Sequence, residues 1–283
     1  MTGRLLKENE YRFGPKNDWS VVVANTQPLR EKAFKLVHDI YLGKGYALGP
    51  NQRTGFWCTI HHLHPRTVTF LAMKAGQAAG TISIVPDSRL GLPADFIFPE
   101  WLAALRKAGR RLSEIFSLGV DDRIDHSTID ITMHLYRLAH LTATRLFHNT
   151  DIAASVMAHH AAFYSNFLLF DEVSPESRQS PKTGEQVVFT RMNMETMERR
   201  YAERYSGLND KRNLHRWFFQ NEEAETMVDW IRRNRQPMTA DELNYFGAEK
   251  SHVLSEAGSD NVAVLMDYCK KAETTRDHDR RED

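Results

Sequence analysis

Only two of the 283 residues are cysteine, Cys58 and Cys269. Two cysteines so far apart build no disulfide framework and give no metal-ligand spacing, and they point to a reducing compartment. A surplus of one charge is also missing. The 37 Lys and Arg balance 37 Asp and Glu, which removes the global basic footprint that dominates nucleic-acid binding and any acidic excess. No run approaches the roughly 18 apolar residues of a membrane span, and the start, MTGRLLKENEYRFGPKNDW, lacks the apolar core of a signal peptide. A soluble, cytoplasmic protein without stable membrane insertion is expected. Phosphate loops are absent too: Gly91, Gly109 and Gly119 stand singly, and GKG at 43–45 is too short to be specific. No GxSxG elbow marks a serine hydrolase, and no HExxH or Cys pattern marks a metal centre, so no metal is expected.

What is present is an alternation of strand and helix signals. WSVVVAN at 19–25 is short and β-branched, a strand buried on both faces. After Pro28, at a first helical turn, Leu29, Ala33, Leu36 and Ile40 recur on one helical face until Gly43 and Gly45 stop it. Residues 67–87 predict two strands around a glycine-containing turn, and 93–107 a short helix. STID at 127–130 resembles a capping box opening a long helix to about His148. A strand at 151–157, a helix at 159–168 and a last strand at 185–192 complete a mixed α/β sheet of about six or seven strands. From 194 to 272 almost everything is helix-forming and reads as a separate helical extension; the doubly charged end, 273–283, reads as a disordered tail.

One residue does not fit its strand. In RRLSEIFSLGVDD, 110–122, alternation places Glu114 with Leu112, Phe116, Leu118 and Val120, and Ser113 and Ser117 on the other face with Ile115 and Gly119. A carboxylate among apolar neighbours needs a partner or shifts its pKa upward. Pairing with Arg110 or Arg111 makes it structural; a raised pKa makes it a general base. For Ser113 the ordinary reading is a polar strand position.

The three imidazoles of HHLH, 61–64, read as a solvated loop rather than a metal site, and His159 and His160 as residues tolerated at a helix start. The aperiodic stretch before Arg66, with the aromatics Tyr46, Phe56 and Trp57, is long for a compact domain and reads as a candidate lid or substrate loop.

The segments PLREKAFKLVHDIYLGKGYA, TISIVPDSRLGLPAD, GRRLSEIFSLGV and HHAAFYSNFLLFDEV, in this order, resemble the long-chain N-acyl amino acid synthases of the GNAT acyltransferase superfamily, relatives of the acyl-homoserine-lactone autoinducer synthases. The resemblance spans about 21–193 and leaves out the C-terminal helices. It implies a GNAT-like α/β (α+β) domain over 1–193 with a splayed central sheet, and transfer of a long fatty acyl group from acyl carrier protein to the α-amine of an amino acid. No cofactor is implied beyond that acyl thioester co-substrate. By position it implies Glu114 and Ser117 as catalytic candidates, and Arg30, Tyr46, Phe116, Leu118, His160, Phe163 and Tyr164 as substrate-binding ones. Arg30 is expected to hold the acceptor carboxylate as a bidentate pair. A glutamate on the strand matches the need to remove a proton from the acceptor ammonium before it attacks.

The sequence departs from GNAT enzymes that use acyl-CoA, whose glycine-rich loop binds pyrophosphate. Here the loop is DDRIDHST, and Asp121 and Asp122 repel pyrophosphate, favouring carrier protein over CoA as donor. Two alternatives stay open: an autoinducer-type synthase with S-adenosylmethionine as acceptor, and a non-catalytic acyl-binding or regulatory protein on the same fold.

Overall fold

The computed structural model describes residues 4–7, 9–13, 18–46, 48–49, 51–124, 128–209, 212–220 and 222–279. Its first three strands are β1 (Arg4–Lys7), β2 (Glu10–Phe13) and β3 (Trp19–Val23). Helix α1 (Gln27–Gly43) follows, with Pro28 in its first turn and Ala33, Phe34, Leu36, Val37 and Ile40 buried. Short turns α2 (Asn51–Thr54) and α3 (Ile60–Leu63) occupy the aperiodic stretch. Strands β4 (Val68–Lys74) and β5 (Gln77–Pro86) form the expected hairpin, and α4 (Pro99–Lys107) leads into β6 (Leu112–Val120). Helix α5 (Thr128–Leu141) crosses to β7 (Asp151–Met157), and β8 (Asp171–Glu172), β9 (Arg178–Gln179) and β10 (Gln186–Asn193) finish the sheet. Ser127, the first residue of the expected capping box, lies outside the described residues.

The sheet has ten strands, in the order β1-β2-β3-β4-β5-β6-β7-β10-β8 with β9 on β10. The sequence reading missed β1, β2, β8 and β9, whose two to four residues are too short to establish a period of two. Every pair is antiparallel except β6 and β7. That parallel pairing covers only Leu112 with Asp151, Ser113 with Ile152 and Glu114 with Ala153, after which the strands part. The sheet is thus mixed and split at its centre, as the resemblance implies. Asp151 closes the joined end through ion pairs with Arg110 (2.6 Å) and Arg191 (2.6 Å).

Alternating side chains feed two cores. Val21, Val23, Phe70 and Ala72 face α5, whereas Val22 and Leu71 face α1. The chain beyond Asn193 is helical and joins both layers. Helices α6 (Met194–Tyr205), α7 (Leu214–Phe219) and α8 (Ala224–Asn234) add Tyr201, Phe218 and Trp230 to the α5 side. Helices α9 (Ala240–Asn244), α10 (Val253–Glu256) and α11 (Ser259–Asp279), with the wide turn 245–249, add Leu243, Phe246 and Leu265 to the α1 side. Helix α11 therefore runs into the charged stretch 273–283. Among the described residues, no helix is long and apolar enough to cross a membrane.

The β4–β5 turn carries Ala75 at φ 48° and Gly76 at φ 80°. Two consecutive positive φ values define the turn that matches strand twist, and only the glycine accepts that conformation without a Cβ clash. Ala75→Asn is expected to raise stability by about 0.5–1 kcal/mol, read as a higher denaturant midpoint at unchanged slope.

Candidate active site

A cavity of about 490 Å³ occupies the split between β6 and β7. Its walls come from β6 and β7 themselves, α1, the start of α5, the short helical turn Pro93–Phe96, the aromatic turn Phe163–Phe167 and the loop between β9 and β10.

Strand β6 changes phase inside this cavity. Thr81 of β5 opposes Gly119 and Ser83 opposes Phe116, so Ser117 and Leu118 share one partner position. Ser117 has φ 52°. This is a β-bulge with its first residue in the left-handed region, a conformation usually left to glycine. The extra residue flips everything downstream. Leu112, Glu114 and Phe116 face α4 and the 93–96 turn as expected, but Leu118 and Val120 pack toward α5 with Ile115. Ser117 instead turns to the α1 side, where its hydroxyl accepts a hydrogen bond from the Trp57 indole N–H at 3.1 Å. The strict alternation expected for 112–120 fails at this bulge.

Glu114 is 1% exposed. It pairs with neither arginine that the sequence offers: Arg110 goes to Asp151 and Glu195, and the Arg111 guanidinium donates to the His148 carbonyl at 2.7 Å. Its own partners are neutral. One carboxylate oxygen accepts from the Ala94 N–H at 2.7 Å and the other from the Ser155 hydroxyl at 3.3 Å. Burial pushes its pKa up to about 8 against the pull of these two donors. The Ala94 N–H belongs to the first turn of a short helix, where backbone donors have no partner within the helix. The VPDSRLGLPAD run exists to fix that turn. Arg106 grips Asp87 (2.6 and 2.8 Å) and Asp95 (2.7 and 2.6 Å), and Asp95 accepts from the Leu92 N–H at 2.7 Å.

Of the positions named from sequence, Glu114, Ser117, Phe116, Leu118, Tyr46, His160, Phe163 and Tyr164 all line the cavity. Tyr164 is buried and accepts the hydroxyl proton of Tyr136, which leaves its own proton to donate, and burial raises its pKa to about 12. His160 is exposed, and partial burial, His159 and Lys44 lower its pKa.

Arg30 is elsewhere. It lies 4% exposed under α9, ion-paired to Glu242 and donating to the Gln236 carbonyl at 2.7 Å, and it does not line the cavity. It is therefore in no position to hold an acceptor. A default surface residue of an early helix became a buried tie because the C-terminal helices, outside the resemblance, fold back over α1.

The HHLH run is not a solvated loop either. His61, His62 and His64 are 0%, 4% and 2% exposed, and His62 packs against Phe34 and Phe116 at 4.7 and 4.6 Å between ring centres. Burial drives the His62 pKa down to about 3 and that of His64 to about 4. Neutral rings serve here as packing. Among the described residues no group of three or more His, Cys, Asp or Glu is placed to hold a metal. Of the expected lid aromatics, Tyr46 and Trp57 are buried in the cavity wall, while Phe56 packs toward Phe246 at 6.5 Å.

Sequence reasoning missed Ser155, the Ala94 N–H and Lys182. A serine in the apolar strand DIAASVM was a visible anomaly; the other two are backbone or loop groups that only tertiary folding brings to Glu114.

Residues 32–193 match the family model of N-acyl amino acid synthase FeeM. Among solved structures, FeeM, an N-acyl amino acid synthase from uncultured soil microbes, is 23% identical with TM-score 0.55, covering 64% of this chain and 93% of its own. BjaI, a CoA-dependent acyl-homoserine lactone synthase, is 16% identical with TM-score 0.44, covering 64% of this chain and 87% of its own. An acyl-CoA N-acyltransferase from Pseudomonas aeruginosa is 15% identical with TM-score 0.41, covering 62% and 97%. No curated protein matches. The family match begins within α1 and runs to the end of β10, taking in every wall of the cavity and the Glu114 strand. The chain belongs to the FeeM family of N-acyl amino acid synthases and is an acyltransferase.

Proposed function

We propose that the protein transfers a long-chain fatty acyl group from an acyl carrier protein thioester to the α-amine of an amino acid. The observation that carries this reading is Glu114: buried, in no ion pair among the described residues, titrating near 8 and facing a cavity that runs through the split sheet. A carboxylate of that pKa accepts a proton from an ammonium at neutral to mildly alkaline pH far more effectively than one at 4.5. The freed amine attacks the thioester carbon. Backbone N–H groups of β6 beyond its last pair with β7 are available to the oxyanion, a contribution on the order of 3 kcal/mol per donor. The intermediate then collapses with loss of the thiolate as its nitrogen gives up the second proton, and Tyr164 relays that proton, giving its own to the sulfur and taking the one from nitrogen. Leu118, Val120, Ile129 and Phe163 give the acyl chain an apolar wall.

The donor assignment rests on Asp121 and Asp122. Asp121 is paired with Arg123 at 2.8 Å and Asp122 lines the cavity, so this end presents the Asp122 carboxylate where a pyrophosphate would need amides. The deciding experiment is mass spectrometry of products from purified protein, long-chain acyl carrier protein and a mixture of amino acids, with acyl-CoA in a parallel reaction. An N-acyl amino acid formed from the carrier-protein donor is expected. Product from acyl-CoA alone overturns the donor assignment, and no product from either overturns the catalytic reading.

A further inference from the structure

Acyl transfer as drawn leaves one charged group in the cavity without a task. Lys182, in the loop between β9 and β10, lines the cavity with Glu114, Thr59, Ser180 and Thr183. Its ammonium stands 5.4 Å from the centre of the Phe96 ring, and among the described residues no carboxylate comes within ion-pair distance of it. Burial lowers its pKa, and Cys58, Glu256 and Glu114 act in the opposite direction. A lysine ammonium in the cavity wall, facing an aromatic ring and no paired carboxylate, leaves a place for one anionic group of a ligand.

The loop around it is preformed. The Ser180 hydroxyl accepts from the N–H groups of Lys182 and Thr183, both at 3.3 Å, and the Ser180 N–H donates to the Glu185 carbonyl at 2.8 Å. Arg178 ties the loop to the opposite wall, donating to the Ile97 carbonyl at 2.8 Å and pairing with Glu100. Lys44, the other lysine in the lining, is exposed at the end of α1, where its field acts on His160.

We propose that Lys182 anchors the acceptor through its α-carboxylate, flanked by the Ser180 and Thr183 hydroxyls, and so holds the α-amine toward Glu114. This rests on the acyl-transfer reading above. In an amino acid the amine and carboxylate share one carbon, so fixing one charge on Lys182 confines the other to Glu114. Arg30, buried under α9, does not perform this task. The site then selects α-amino acids with a free carboxylate and discriminates against the corresponding amides.

The test compares amino acids with their α-amides as acceptors for the wild type, Lys182→Gln and Lys182→Arg, on the full-length protein. In the wild type the acid is expected to outcompete the amide. In Lys182→Gln the acceptor KM rises roughly 10- to 100-fold, the loss of one charge-assisted hydrogen bond, and the preference for the acid disappears. The KM for acyl donor is unchanged, and Lys182→Arg recovers part of the loss. Persistence of the preference in Lys182→Gln, or equal use of acid and amide by the wild type, overturns the anchor while leaving acyl transfer standing. If the wild type acylates neither, acyl transfer fails, and calorimetric titration of amino acids decides Lys182 alone. Carboxylate-dependent binding that is lost in Lys182→Gln supports the anchor, and its absence overturns it.

Discussion

Glu114→Gln is expected to lower kcat/KM for acyl transfer by about 10²–10⁴-fold, the range supplied by a positioned general base. The amide keeps the shape and the bond from the Ala94 N–H, and its Nε donates to the Ser155 hydroxyl in reversed sense, but it takes no proton. In the wild type, kcat/KM should rise tenfold per pH unit and level near the pKa of about 8; the variant should lack that inflection. Stability moves the other way. The folded-state pKa of Glu114 lies above its ordinary value of 4.5, so its contribution is full below pH 4.5 and is lost as pH rises through about 8. Glutamine does not titrate, so unfolding in denaturant at pH 5 and pH 9 should show Glu114→Gln gaining stability relative to the wild type at the alkaline end. An unchanged rate profile in the variant would remove Glu114 from the chemistry. A large loss of stability at pH 5 with turnover intact would make it a structural residue.

Arg30→Ala is expected to cost about 3–5 kcal/mol of stability, because it strands the Glu242 carboxylate in a buried site. Glu242 has a second duty: it closes the capping box of α9, accepting from the Thr239 N–H at 2.8 Å while its own N–H donates to the Thr239 hydroxyl at 3.2 Å. The loss should therefore concentrate in 236–249, seen as faster amide exchange there than in α5. A paired Arg30→Met, Glu242→Met replacement should recover most of the stability, since apolar side chains of similar volume satisfy a buried ion pair's space without its desolvation cost. The acceptor KM of the folded Arg30→Ala protein should match the wild type. A KM defect without loss of stability would return Arg30 to the substrate site.

Much of this site was legible before folding. A lone carboxylate in RRLSEIFSLGVDD marked Glu114 as out of place, and the VPDSRLGLPAD and HHAAFY runs identified the segments that surround it. The strand β3, buried on both faces, and the hairpin of β4 and β5 followed from β-branched content and one turn. What stayed hidden was long-range. No local pattern announces a bulge at Ser117, because a serine in the left-handed region looks like any strand serine; the cue lies in the register with β5. Burial of His61, His62 and His64 depends on Phe34, Phe116 and the C-terminal helices, distant in sequence. Arg30 was misplaced for the same reason: its partner is 212 residues away.

The three-residue pairing of β6 with β7 also has a mechanical meaning. Beyond Glu114, β6 runs on to Val120 paired with β5 but parted from β7, about 20 Å at roughly 3.3 Å per residue. The sheet is a pair of jaws hinged at Asp151, where Arg110 and Arg191 serve as the pin. A rotation of about 5° at the hinge moves the tip by nearly 2 Å over that arm length, enough to admit or grip a methylene chain. Were the two halves of the sheet to pivot at that pin, small repacking around one buried aspartate would be amplified where the acyl chain would lie.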